Sequence, residues 1–142
     1  PEGAIKYECE YMRAHLVGRS GRWSEAVVMW RSLIDANPDI DYLPQAYLEY
    51  SQALDFSGDL FGAALALEEL MVRYPARIEA RRAVDLREEL LLVDKTLAAR
   101  LAPQRTILAE KWKHTPPLIA SPPGEDATPA SPQRATTTGG AE

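Results

Sequence analysis

From residue 4 to residue 113, apolar residues recur at steps of three and four, the spacing that gathers side chains on one face of an α-helix. The first run spans about Ala4 to Val17 and carries Tyr7, Tyr11, Ala14 and Val17, with Gly18 and Gly21 placed to stop it. Ser24 is placed to cap a second helix, whose face is Ala26, Met29, Trp30, Leu33 and Ile34 and which ends at Asn37-Pro38. A polar loop follows from Asp39 to Leu43. A third helix starts at Pro44, with Tyr47, Leu48, Tyr50, Ser51 and Leu54 inward, and Gly58 closes it. Asp59 caps a fourth helix with the seam Ala63, Leu67, Leu70 and Met71, ending at Tyr74-Pro75. From about Arg77, the stripe Leu86, Leu90, Val93, Leu97 and Leu101 predicts one long helix to residue 101. Pro103 interrupts it, and Gln104 to Lys113 forms a further short helix carrying Ile107, Leu108 and Trp112.

The pattern repeats itself at a spacing of 37 residues: Gly21 and Gly58, Trp23 and Leu60, Ala26 and Ala63, Trp30 and Leu67, Leu33 and Leu70, Pro38 and Pro75. A repeat of this length is a supersecondary unit that buries its apolar face by stacking on copies of itself. The long fifth helix lacks a Gly turn and a partner helix at the repeat spacing, so it is expected to cap the stack.

Composition divides the chain in two. Residues 1–113 are rich in Leu, Ala, Glu and Arg, whereas residues 114–142 are dominated by Pro, Thr, Ala, Ser and Gly, with no aromatic residue. The second part cannot bury enough apolar surface to offset chain entropy and is expected to be a disordered tail. Within it, Pro129-Ala130-Ser131-Pro132-Gln133-Arg134 has the PxxPxR form read by SH3 domains, although a solvating linker accounts for it as well. Net charge is −6 over residues 1–76, +3 over 77–113 and −2 over the tail. An acidic body argues against nucleic-acid binding, while the segment containing Arg77, Arg81, Arg82 and Arg87 suits an acidic protein partner. The chain begins at Pro1 without Met and enters a helical pattern almost at once, which reads as a fragment or a processed product.

No catalytic or metal-binding constellation emerges. Cys9 is the only cysteine and lies in a helical stripe; His15 and His114 are far apart, and no nucleophile accompanies His15. Asp35, Asp39 and Asp41 surround a turn but lack the Gly and closing Glu of a helix-loop-helix calcium site. No catalysis, metal or cofactor is expected. Trp23 and Trp30 read as core, and Trp112 either packs back on the last helix or makes an exposed contact.

A helix, a Gly turn, a second helix and a terminal Pro resemble the tetratricopeptide repeat (TPR) family. The second unit is the better match, through Tyr47, Ser51, Leu54, Gly58, Ala63, Leu67, Leu70 and Pro75; the first matches from Gly21 onward. Ala14 and Ser51 hold the small positions where paired helices approach closely. The unit exceeds the family's usual length by three residues, which fit in the loop from Asp39 to Leu43. Tyr74-Pro75 followed by Glu79-Ala80-Arg81-Arg82 is similar to bacterial cell-envelope TPR proteins of the outer-membrane assembly and Tol-Pal-associated lipoprotein type. The resemblance implies an all-α solenoid over residues 1–113, with repeats at about 5–38 and 41–75 and a capping helix at about 77–101. It implies a protein or peptide partner held in a concave groove lined by Glu8, Tyr11, His15 and Arg19 of the first unit and Gln45, Leu48, Gln52, Asp55 and Phe56 of the second. Tyr11 and His15 occupy the positions of the family's carboxylate-gripping pair, so that clamp is not expected. It further implies an envelope or periplasmic setting, with a cytoplasmic one as the alternative. Two other roles fit the sequence: a C-terminal module of a larger enzyme or signalling protein, and self-association through Leu86, Leu90, Val93 and Leu97.

Overall fold

The computed structural model describes residues 2–114, and these fold entirely as helix and connecting turns. Six helices follow in order: α1 (Glu2–Arg19), α2 (Trp23–Ala36), α3 (Leu43–Phe56), α4 (Leu60–Arg73), α5 (Ile78–Val93) and α6 (Leu97–Trp112). The expected disorder of the tail and its PxxPxR segment lie outside the described residues. Each helix from α1 to α4 packs on the next, while α3 also touches α1 and α5.

The first two hairpins close in the same way. Gly21 and Gly58 take φ values of +89° and +97°, a left-handed conformation that costs glycine little. Around each, one amide reaches back three residues and the next reaches back five: Gly21 to Gly18 and Arg22 to Val17, then Gly58 to Asp55 and Asp59 to Leu54. That is the double bond of a Schellman terminus, which satisfies the last carbonyls of α1 and α3. Asp59 caps α4 as expected, its Oδ1 accepting from the Gly62 amide at 2.8 Å. Ser24 does not cap α2; Arg22 stands at that position and makes no side-chain cap bond. Gly18 does not stop α1 but lies inside it, where a Cβ would come within 3.0 Å of the Trp23 ring. Its bare Cα admits Trp23 rather than ending the helix.

Alanine lines the contacts between these helices. Ala14, Ala26, Ala46, Ala53, Ala63 and Ala64 are all fully buried, which lets the helix axes come close. Ser51 is buried too, and its hydroxyl donates to the Ala63 carbonyl at 3.0 Å, so the polar atom is satisfied where α3 meets α4. Trp30, Leu33, Leu67 and Leu70 fill the space between. At the joint between hairpins, Asn37 adopts a left-handed conformation and ends α2. Arg73 donates to Asn37 Oδ1 and to the Tyr47 hydroxyl, and Arg77 donates to the Asp41 carboxylate and carbonyl, each at 3.2 Å. The aspartate at this turn therefore tethers two hairpins.

The expected long helix over 77–101 is two helices. The chain leaves helical geometry at Asp94, whose Oδ1 accepts from the Thr96 amide at 3.0 Å and the Thr96 hydroxyl at 2.7 Å, and α6 starts at Leu97. Pro103 does not interrupt; it sits within α6. The third hairpin departs from the first two because the repeat signature fails there. Lys95 stands 37 residues after Gly58, Glu88 after Ser51, Arg100 after Ala63 and Gln104 after Leu67. A long carboxylate at the close-approach position and polar groups opposite it cannot form the tight α3–α4 type of pairing.

α6 instead lies along α4 in the same direction and meets α5 only slightly. Leu97, Leu101 and Leu108 are its buried residues. Glu68, 3% exposed, receives Arg87 of α5 and Arg105 of α6, each at 3.0 Å. Glu69 accepts from Lys111 at 3.1 Å and from the Trp112 indole at 2.7 Å, and the Arg73 guanidinium stacks 4.0 Å from the Trp112 ring centre. Trp112 thus packs back onto α4. Leu90 and Leu97 are buried inside the molecule, so Leu86, Leu90, Val93 and Leu97 do not present one exposed seam.

Candidate partner-binding face

α1, α3 and α5 are neighbours along one side of the stack, and α1 and α3 supply the residues anticipated from the sequence. The structure divides those residues into fixed and open ones. Tyr11 is half-buried and interlocks two elements: its ring meets Trp30 and Tyr42 edge-on, each with centroids 5.0 Å apart. Burial, and then the nearby carboxylate of Glu49, push its phenol well above the ordinary value of 10.0, so the hydroxyl stays protonated. Leu48 is buried in the core. Asp55 is half-buried, and its carbonyl accepts from Gly58 in the turn. These three hold the fold together more than they face outward.

His15 and Gln45 converge on a residue the sequence reading left out. His15 Nδ1 lies 3.3 Å from Glu49 Oε1, and Gln45 Nε2 donates to Glu49 Oε2 at 3.4 Å. Glu49 therefore ties α1 to α3 on this face and leaves a half-buried carboxylate among polar groups. Its spacing of four from Gln45 was the available signal. Beside it, Glu79 is buried and pairs with Arg77 through Nε at 3.2 Å.

Glu8, Arg19, Gln52 and Phe56 are exposed. Phe56 packs its ring 4.8 Å from that of Trp23 yet keeps 58% of its surface open. The 37-residue register extends this row onto α5, which the sequence reading treated as a cap. Arg82, Glu89 and Val93 follow Gln45, Gln52 and Phe56 by 37 residues, and Leu92 follows Asp55; all are exposed. Phe56, Leu92 and Val93 thus place open apolar side chains at the C-terminal ends of adjacent helices α3 and α5.

Among the described residues, no group of three or more His, Cys, Asp or Glu side chains is arranged to hold a metal ion. No described helix is long and apolar enough to cross a membrane. No protein-family model matches this chain, and no curated protein or solved structure matches it.

Proposed function

We propose that this chain is a non-catalytic scaffold of the tetratricopeptide type that holds a protein or peptide against the face formed by α1, α3 and α5. The observation that carries this reading is the continuation of one register across three helices, ending in exposed Phe56, Leu92 and Val93 beside exposed Gln52 and Glu89. Large apolar groups in the open, rimmed by amides and charges, are what a peptide-binding surface needs: apolar anchors for affinity and polar groups for orientation. The face is already braced by Tyr11 and Glu49, so binding needs little rearrangement. The similarity to cell-envelope TPR proteins makes an exported protein the first partner to look for.

The test is selection from a peptide display library against the intact chain and against a variant with Gln52→Ala, Phe56→Ala and Leu92→Ala. These positions are exposed, so circular dichroism should show equal helicity. Peptides retained by the first and lost by the second support the reading. Peptides retained equally by both, or by neither, would remove this face as the binding site.

A further inference from the structure

The buried residues of α5 and α6 share one helical stripe that passes through the break between the two helices. Ala83, Leu90, Leu97, Leu101 and Leu108 are buried, and Leu86, Val93 and Arg105 fill the intervals, so steps of three and four continue from residue 83 to residue 108. Two helices that fold separately have no need to keep a common phase. The break is Asp94, Lys95 and Thr96, with neither Gly nor Pro and no positive φ. What interrupts the helix is the Asp94 carboxylate, which accepts from the Thr96 amide and hydroxyl in the manner of a cap.

Within one copy, α6 is held almost wholly by α4 and meets α5 only slightly. Besides its three buried leucines, it fastens Arg105 to Glu68, Trp112 to Glu69, and the Arg100 guanidinium 4.3 Å from the Phe61 ring centre. Phe61 and Arg100 stand near the starts of their helices, Glu69 and Trp112 near the ends, so α6 runs along α4. α5, joined to α4 through residues 74–77, runs against it. Each α4–α6 contact could be made equally well if the α4 belonged to a second copy.

We propose that two copies of this chain exchange α6, with α5 and α6 joined into one helix from Ile78 to Trp112. That helix runs against its own α4 along Ala83 and Leu90, then along the α4 of the second copy through Leu97, Leu101 and Leu108. The second α4 must therefore point opposite to the first, which is the relation a two-fold axis across the helices produces. The exchange is reciprocal and closes as a dimer. Glu68 keeps Arg87 from its own chain and receives Arg105 from the other. Each hinge loses the Asp94 bonds and gains helical hydrogen bonding through residues 94–96. Only α4, α5 and α6 take part, so the exchange is independent of what lies against α1 and of the peptide-binding reading.

Two hinge variants of the full chain test this by sedimentation after refolding from urea. Asp94→Ala removes the capping carboxylate and favours helix, and should tighten the dimer about tenfold for each hinge, about a hundredfold in all. Lys95→Pro should keep the chain monomeric. Asp94, at φ −133° and ψ 103°, already has the extended backbone that precedes proline, and the Lys95 amide donates no hydrogen bond among the described residues. A proline at 95 bars the continuous helix. Disulfide trapping with Cys9→Ser separates exchange from a dimer of closed copies. One chain carries Glu69→Cys on α4 and another Lys111→Cys on α6, side chains that lie 3.1 Å apart. Refolded together with Asp94→Ala, the two chains should join through positions 69 and 111, and with Lys95→Pro in its place they should not. An Asp94→Ala chain still monomeric at about 1 mM would overturn the proposal. So would a dimer that survives Lys95→Pro, or one in which positions 69 and 111 of different chains do not join.

Discussion

The second and third hairpins use corresponding positions to opposite ends. In α3–α4, Ser51 lies against the Ala63 carbonyl, Gly58 turns the chain in a left-handed conformation, and Leu67 fills the seam. In α5–α6 the same places hold Glu88, Lys95 and Gln104, and the two helices barely meet. α6 then rotates its other face, Leu97, Leu101 and Leu108, onto α4 and fastens it through Glu68 and Glu69. A repeat therefore specifies a hairpin through a few small residues. When they are replaced, the apolar content still finds cover, but on a different neighbour.

The strongest way to break the contrast is to give α3 the α5 residue. Ser51→Glu forces a carboxylate into a buried helix–helix contact and should cost about 3–5 kcal/mol, or the fold, in urea unfolding. Glu88→Ser, at an exposed site, should change stability by less than about 0.5 kcal/mol.

Alkali should weaken the first two hairpins through tyrosine, a residue that α5 and α6 do not contain. Burial raises the phenols of Tyr11, Tyr47 and Tyr74 above 10.0, that of Tyr74 to about 12. Their folded-state values exceed the unfolded one, so their contribution is intact below pH 10 and is lost as pH rises toward the folded values. Between about pH 10 and 12, stability should fall by up to about 1.4 kcal/mol per pH unit for each of the three. Absorbance at 295 nm followed with helicity would check it: ionisation of these three without loss of helix would contradict the assignment.

Trp112→Ala removes the indole bond to Glu69 and the stack on Arg73, and should loosen α6 by about 2 kcal/mol. Hydrogen exchange should speed up in α6 while α1–α4 keep their protection. The smallest contrast lies in the turns. A Cβ at Gly58 meets nothing within 4 Å, so Gly58→Ala should cost only the left-handed backbone strain, about 1 kcal/mol. Lys95→Gly, at a turn without positive φ, should stay within about 0.5 kcal/mol of the parent. Equal thermal shifts for the two would mean that the turns do not distinguish the hairpins.

The sequence was most informative where local rules and the repeat agree. α1 to α4 and the turns at Gly21 and Gly58 follow from apolar spacing, and Asp59 caps as its position indicates. The split of α5 from α6 was hidden, because Leu86, Leu90, Val93, Leu97 and Leu101 keep helical spacing through a break made by the Asp94–Thr96 turn. Periodicity counts intervals and does not see which neighbour each residue covers. On the face formed by α1, α3 and α5, exposed Gln52 and Phe56 were legible. The roles of Tyr11 and Glu49 were not, since both depend on side chains from other helices.

The seating of α6 bears on how such a chain grows. Tandem duplication lengthens a repeat array by inserting whole units, and each insert needs an open helix face on both sides. Duplicating the segment from Pro38 to Tyr74 would meet that condition, since Pro38 and Pro75 stand in the same register after α2 and α4. A unit added after Trp112 would not, because α6 has already turned the receiving surface inward. Length variation among chains built on this plan is therefore expected upstream of α5, with the α5–α6 pair kept as a fixed terminus.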